Sequence, residues 1–246
     1  IILPWQHQPV NLEEHLNDIR QRYNVSSSRR KIHTAPATAL TNSEISRYMD
    51  TVLAPFLDTY HRNIQNSYQQ MTTKLLRKIK DEISAAILKK QMIYTELTEL
   101  ADKLNVPALC AEERRSIRTL SSKHVASIYK CTEEARSSIA KMGQYAEEMI
   151  GLTRNYLQST LADTTRAFAS KNQRSGVQKS DVTNSLKELA RSAVLLGYEL
   201  DLSLTNARRH NEQSCEKLSS CSSKARRQSD AAVAELRDNL YQCVYA

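Results

Sequence analysis

The chain has 246 residues, 40% of them hydrophobic but only 6% aromatic, with 4 Gly and 5 Pro. No proline follows Pro107, and helix-forming residues dominate, so the composition indicates long helices and disfavours a compact sphere. The formal net charge of +8 permits anionic partners without requiring them. The longest late apolar run is interrupted by Glu199 and Asp201, which excludes a transmembrane helix.

The first 42 residues read as an N-terminal arm and linker. The sequence begins with Ile rather than Met, so we expect a processed chain. Asn11 is placed to cap a short helix from Leu12 to Tyr23. Residues 24–42 lack helical periodicity and form the predicted linker, which begins with a sequon at Asn24. We expect Asn24 to be glycosylated.

Residues 43–105 form the first predicted long helix. Apolar residues recur there at spacings of three and four, which is the helical signature. Pro55 is expected to kink or interrupt this helix near its start. The Asn105-Val106-Pro107 segment ends it.

The remaining residues form two further long helices, 108–169 and 180–245, joined by a turn that contains Gly176. Short turns make neighbouring helices antiparallel. The predicted fold is therefore all-α: residues 43–246 form an elongated up-down-up bundle of three helices of about 60 residues, each roughly 90 Å long. The arm of residues 1–42 precedes this bundle.

The five cysteines test this register. In an antiparallel pair, residues at the same height have numbers that add up to a constant, and the second turn sets that total near 350. The pairs Cys110 with Cys243 and Cys131 with Cys221 lie within about three of it, whereas Cys215 falls one turn out of step. Aligned inward positions meet the distance requirement of a disulfide. We predict these two bridges, which cross-link the bundle.

The bridges have consequences for compartment and assembly. They indicate an oxidising compartment, and hence a secreted protein. Cys215 is left as a free or intermolecular thiol, so a homo-oligomer is expected to form through Cys215 or the N-terminal arm. No CxxC is present and no histidine lies near a cysteine, so we expect no metal and no cofactor.

Three short motifs carry a family resemblance: Leu109-Cys110, Ile128 to Cys131, and Glu235 to Cys243. With the long Ser/Ala/Glu/Lys-rich helices, they resemble the tsetse EP-type family of insect secreted proteins over residues 107–246. The resemblance implies secretion from gut, fat body or reproductive tissue and no established enzymatic activity. The basic charge and the fifth cysteine depart from the family.

Catalytic signatures are absent from the sequence. It has no GxSxG, no HExxH, no Gly-rich phosphate loop and no DxDxDG. In the predicted register, residue i of the first long helix lies level with about residue 216 − i of the second and 134 + i of the third. No two of His61, His124 and His210 then share a level. We therefore expect a protein that is not an enzyme.

Positive charge concentrates halfway along the predicted helices. This basic belt is expected to bind an anionic glycan, a lipid surface or an acidic protein, and no specific nucleic acid. Its residues are Lys74, Arg77, Lys78, Lys80, Lys89, Lys90, Arg208, Arg209, Lys224, Arg226 and Arg227.

In the same register, Gly151 and Gly197 lie at nearly the same height along the predicted bundle, close to Tyr60 and Tyr156. Because glycine costs stability within a helix, this coincidence suggests a close approach of two helices or a bend.

These features predict a secreted, non-enzymatic scaffold or binding protein that presents a long helical surface. Three alternatives stay open. A BAR-like membrane-shaping module requires a reducing cytosol. A lipid-carrying helical bundle must open around lipid, which cross-links restrict. A receptor ectodomain uses such a bundle as a stalk.

Overall fold

A computed structural model describes residues 8–23, 43–174 and 178–245, with the side chains of residues 169 and 171–174 left out. The described chain is an all-α bundle without strands, as predicted. Its α-helices, in chain order, are α1 (Leu12–Arg22), α2 (Ser43–Tyr48), α3 (Ala54–Lys103), α4 (Ala111–Arg174) and α5 (Lys179–Tyr245). Asn24, the rest of the linker and Gly176 lie outside the described residues.

Helix α1 begins as its sequence predicts. The Asn11 side chain accepts a hydrogen bond from the backbone N–H of Glu14 at 3.1 Å, which satisfies one free donor of the first turn. Leu12, Leu16 and Ile19 recur along one face and are buried. This short helix is therefore fixed by its packing as well as by its cap.

A π-helical turn, Met49–Leu53, joins α2 to α3 and accounts for Pro55. The backbone N–H of Ala54 bonds to the carbonyl of Met49, five residues back. In a regular α-helix, Pro55 would offer no N–H to residue 51 and its ring would press on that carbonyl. The wider turn accommodates the proline, so the predicted interruption is present.

Helix α3 ends in a Schellman motif. Asn105 has a positive φ of 48° and bonds to the carbonyl of Asp102, while Val106 bonds back to Ala101. Val106 and Ala101 also belong to one buried cluster, which supplies the hydrophobic contact of this motif. Pro107 and a 3₁₀ turn, Ala108–Cys110, then lead into α4.

The chain divides into two compact units, to which α3, α4 and α5 each contribute a segment. Unit 1 comprises residues 1–70 and 141–210, and unit 2 comprises residues 71–140 and 211–246. In unit 2, Leu97, Cys110, Ile117 and Leu240 belong to one buried cluster. In unit 1, residues buried to at least 97% include Leu57, Met149, Leu189 and Leu196.

Candidate binding surface

Unit 2 contains both predicted disulfides. Cys110 and Cys243 are bonded at an S–S distance of 2.00 Å, with their Cα atoms 6.1 Å apart. Cys131 and Cys221 are bonded at 2.01 Å, with their Cα atoms 5.6 Å apart. Both Cα separations fall in the ordinary range for disulfides. Both predicted cysteine pairs are therefore confirmed.

Cys215 is a free and buried thiol. It lies six residues before Cys221, which is one and two-thirds turns of helix, so the two cysteines point to different sides of α5. The side chain is only 9% exposed. The prediction of a free thiol is confirmed, whereas an intermolecular bridge would first require the thiol to be uncovered.

Two residues of the basic belt are used in contacts inside unit 2. Lys89 of α3 pairs with Asp230 of α5, and Arg226 of α5 pairs with Glu82 of α3 at 2.8 Å. The Glu82 carboxylate is mostly buried, with 15% of its side chain exposed. These two cations stabilise the α3–α5 contact and contribute little to an external anion site.

Five belt residues on α3 are differently placed. No carboxylate pairs with them within the described parts of the chain, and four of the five are exposed. They are Lys74, Arg77, Lys78, Lys80 and Lys90. Arg208 and Arg209 belong to unit 1, where Arg208 donates to the Ser67 hydroxyl at 3.3 Å and Arg209 has a partner of its own. The predicted belt therefore divides into separate groups.

Lys224 lies at a groove between α4 and α5 in unit 2, with a volume of about 490 Å³. The disulfide Cys131–Cys221 and Leu218 line its apolar part. Its depth follows from small residues along both helices, since none of them fills the space between the two backbones. These small residues are Ser127, Ala135, Ser214 and Ala225.

The rim of this groove is basic. It carries Lys130, Lys217 and Lys224, against a single acid, Glu134. Lys217 pairs with Glu134 at 3.1 Å, but both side chains are well exposed and such pairs contribute little. Among the described residues no carboxylate pairs with Lys130 or Lys224. Sequence reasoning placed Lys224 in the basic belt but missed the groove, whose signal was the small residues between the lysines.

Unit 1 contains a polar contact that resembles a nucleophile with its base. His61 Nε2 lies 2.9 Å from the Thr153 hydroxyl, and the Asp58 carboxylate lies 3.5 Å from His61 Nδ1 without a hydrogen bond. Thr153 is fully buried and donates to the Met149 carbonyl at 2.8 Å. Burial lowers the pKa of His61, helped by the nearby Arg154. A hydroxyl without solvent access serves packing better than catalysis.

His124 makes a similar contact in unit 2. Its Nδ1 lies 2.7 Å from the Ser229 hydroxyl, and the imidazole is 2% exposed. Burial lowers the pKa of His124, and Lys89 adds to that effect. Sequence reasoning compared the levels of histidines with one another and so missed both His–hydroxyl contacts.

Helix α1 contacts both α4 and α5 in unit 1. Tyr145 Oη lies 2.6 Å from His15 Nδ1, Arg20 pairs with Glu148, and Arg22 pairs with Glu199. Burial raises the pKa of Tyr145 to about 12, so its phenol stays protonated and can donate to the imidazole. These contacts fasten a short helix across two long ones.

The two glycines of the close-approach prediction behave differently. A Cβ on Gly197 would lie 3.1 Å from the Tyr60 ring, whereas a Cβ on Gly151 would meet nothing within 4 Å. The close approach is therefore present at Gly197 and absent at Gly151. Tyr156 instead packs edge-on against Tyr23, with ring centroids 4.9 Å apart.

One group of described residues has ligand atoms close enough to share a metal ion: Cys110, Glu113 and Cys243. Both sulfurs are joined in the disulfide, so neither offers the thiolate that a metal requires. In the described part of the chain, none of the helices contains an apolar stretch of the length needed to span a bilayer.

No protein-family model, no curated protein and no solved structure matches this chain. The tsetse EP-type family therefore stays a resemblance of short motifs.

Proposed function

We propose that this chain is a secreted, non-enzymatic binding protein that presents basic helical surfaces to an anionic or protein partner. The observation that carries the proposal is the group of five cations on α3 without carboxylate partners in the described chain, on a bundle with two disulfides. Disulfides persist in oxidising compartments, which supports secretion. Exposed uncompensated cations attract anions. Glycosylation at Asn24 and an insect origin belong to the same proposal.

The main alternatives make different demands. A BAR-like module works in a reducing cytosol, which two disulfides disfavour. A receptor ectodomain is compatible with every feature of the bundle and differs only in its attachment. The lipid-carrying alternative is favoured by exposed apolar residues, among them a stretch of α5 in unit 1. Its residues are Val194, Leu195, Tyr198 and Leu202.

Retention on heparin tests the proposal. The protein should bind at low salt and elute as ionic strength rises, because exposed charges are screened over about 8–10 Å. Reversing three α3 cations, Lys74→Glu, Lys78→Glu and Lys80→Glu, should abolish retention at 0.15 M salt, a roughly physiological ionic strength.

The matched control reverses Arg62, Lys103 and Lys187 to Glu, which makes the same change in net charge at exposed positions outside residues 74–90. It should elute only slightly earlier than the parent protein. Equal losses in the two variants would show that net charge, and no particular surface, causes retention. Vesicle binding that is lost in Leu195→Glu but kept in the α3 variant would favour the lipid carrier.

A further inference from the structure

Unit 1 shows how α4 and α5 together receive a short helix. Helix α1 buries Leu12, Leu16 and Ile19 against the unit and places its two last-turn arginines on acidic partners. Arg20 pairs with Glu148 on α4, and Arg22 pairs with Glu199 on α5. The apolar face of α1 is therefore flanked by two ion pairs, one with α4 and one with α5.

In unit 2 the segments of α4 and α5 that line the groove carry the opposite charge. On α4, Glu148 pairs with Arg20 in unit 1, whereas Lys130 lies at the groove in unit 2. On α5, Glu199 pairs with Arg22 in unit 1, whereas Lys217 lies at the groove in unit 2. Both lysines belong to the rim of the groove. In unit 1, carboxylates of α4 and α5 pair with the arginines of α1, whereas in unit 2 the groove between these helices carries ammonium groups.

We propose that the groove of unit 2 binds an acidic amphipathic helix of a partner protein. The inference rests on the proposed binding function and names the class of partner. The apolar face of that helix would lie on Cys221, the exposed half of the disulfide, and on the methylene stems of the rim lysines. Its carboxylates would pair with the ammonium groups of Lys130, Lys217 and Lys224. Helix-in-groove recognition of this kind uses apolar anchors at i, i+3 or i+4, and i+7.

The dimensions of the groove agree with this occupant. Its lining runs from Ser214 to Gln228 along α5, a stretch of about 21 Å at 1.5 Å per residue. Helix α1, with 11 residues, is about 16 Å long. The disulfide holds α4 and α5 at a fixed separation, so the groove exists before its ligand arrives, and a preformed site spares the cost of ordering it.

The probe is a fluorescein-labelled, N-acetylated peptide of residues 11–23 that carries Arg20→Glu and Arg22→Glu. Its binding to the full chain is measured by fluorescence anisotropy. We expect one peptide per chain, with affinity at least tenfold weaker in the groove variant Lys130→Glu/Lys217→Glu/Lys224→Glu. Ser127→Trp, which fills the groove without changing its charge, should also weaken binding at least tenfold.

The α3 variant of the heparin test is the matched control, because it makes the same change in charge outside the groove. It should bind the peptide within twofold of the parent protein. If heparin retention fails its test while this pattern holds, the proposed α3 surface is wrong and the groove stands. Circular dichroism and disulfide mapping establish that each variant is folded.

Three outcomes would overturn the inference. Equal weakening in the groove and α3 variants would mean general charge attraction. Unchanged binding of a peptide with Leu12, Leu16 and Ile19 replaced by Ser would mean that no apolar face is recognised. Binding of myristate, lost in Ser127→Trp, without binding of the peptide would make the groove a site for single-chain anionic lipid.

Discussion

Units 1 and 2 use segments of the same three long helices but hold them together by different means. Unit 2 contains both disulfides, whereas the described cysteines include none in unit 1. Unit 1 instead receives α1, which is held by buried apolar residues, two arginine–glutamate pairs and the Tyr145–His15 contact. Covalent cross-links persist on heating, at high salt and in acid. Of the contacts of α1, the apolar packing is weakened by heat, the ion pairs by salt and the Tyr145–His15 contact by acid.

The largest expected effect comes from removing a cross-link. Cys131→Ser with Cys221→Ser opens a loop of 90 residues and should lower the free energy of unfolding of unit 2 by about 3–5 kcal/mol. Hydrogen exchange in residues 111–140 and 211–245 should accelerate accordingly. Equal acceleration in residues 150–200 would show that unit 1 also depends on this bridge and would remove the contrast between the units.

The next effect concerns α1. Ile19 is fully buried, so Ile19→Ala should cost about 2–4 kcal/mol through lost packing and the cavity left behind. Amide exchange in α1 should quicken, while exchange in unit 2 should stay unchanged. The exposed neighbour substitution Gln21→Ala serves as control and should leave exchange as it is. Without faster exchange after Ile19→Ala, α1 would not depend on this contact.

Acid should affect unit 1 more than unit 2. Burial lowers the pKa of His15, His61 and His124 in the folded chain, and the first two belong to unit 1. Below about pH 6.5 these histidines become protonated in the unfolded chain but stay neutral in the folded chain. Their contribution to the free energy of unfolding is therefore highest at neutral pH and decreases as the pH falls. Urea unfolding at pH 7 and pH 5 measures the loss.

A matched substitution tests the same point. His61→Gln should reduce the pH dependence of exchange in unit 1 and leave that of unit 2 unaltered. A pH dependence that is the same before and after the substitution would assign the acid response to other groups.

The smallest effect distinguishes Gly151 from Gly197, both in unit 1. Gly151→Ala should raise the free energy of unfolding by about 0.5–1 kcal/mol, because the added methyl meets open space and alanine favours helix. Gly197→Ala should gain less or lose stability, because its methyl presses on the Tyr60 ring. Thermal unfolding of the two variants ranks them, and the reverse order would contradict the packing at Gly197.

The sequence predicted the long helices and both disulfides because each depends on a regular repeat. Apolar spacing places the helix ends within a few residues, and one turn fixes the register of α4 against α5. The α3–α5 register was less accurate. The expected offset was 134 residues, whereas the ion pairs Lys89–Asp230 and Arg237–Glu96 join residues 141 apart. The predicted offset was obtained from the α3–α4 turn and the α4–α5 turn together, so it contained the errors of both.

The docking of α1 and the groove could not be read from periodicity. An 11-residue amphipathic helix shows that it has an apolar face but does not show which surface covers it. A groove arises where two helices both carry small residues at the same height, so it requires a register accurate to a single turn. The pattern of small residues along one helix, such as Ser127 and Ala135 on α4, does not determine the register between two helices to within one turn.

The positions of the two disulfides in the sequence determine the order in which their cysteines are synthesised. Cys131–Cys221 is enclosed by Cys110–Cys243. One bond joins α4, and the other the 3₁₀ turn before it, to the latter part of α5. A ribosome makes α4 first, so Cys110 and Cys131 must wait as thiols until α5 has followed. The first cysteine of α5 to appear is Cys215, which the native fold leaves unpaired. When α5 packs along α4 in the native register, each cysteine of α5 that forms a bridge lies beside its own partner, and Cys215 lies beside none.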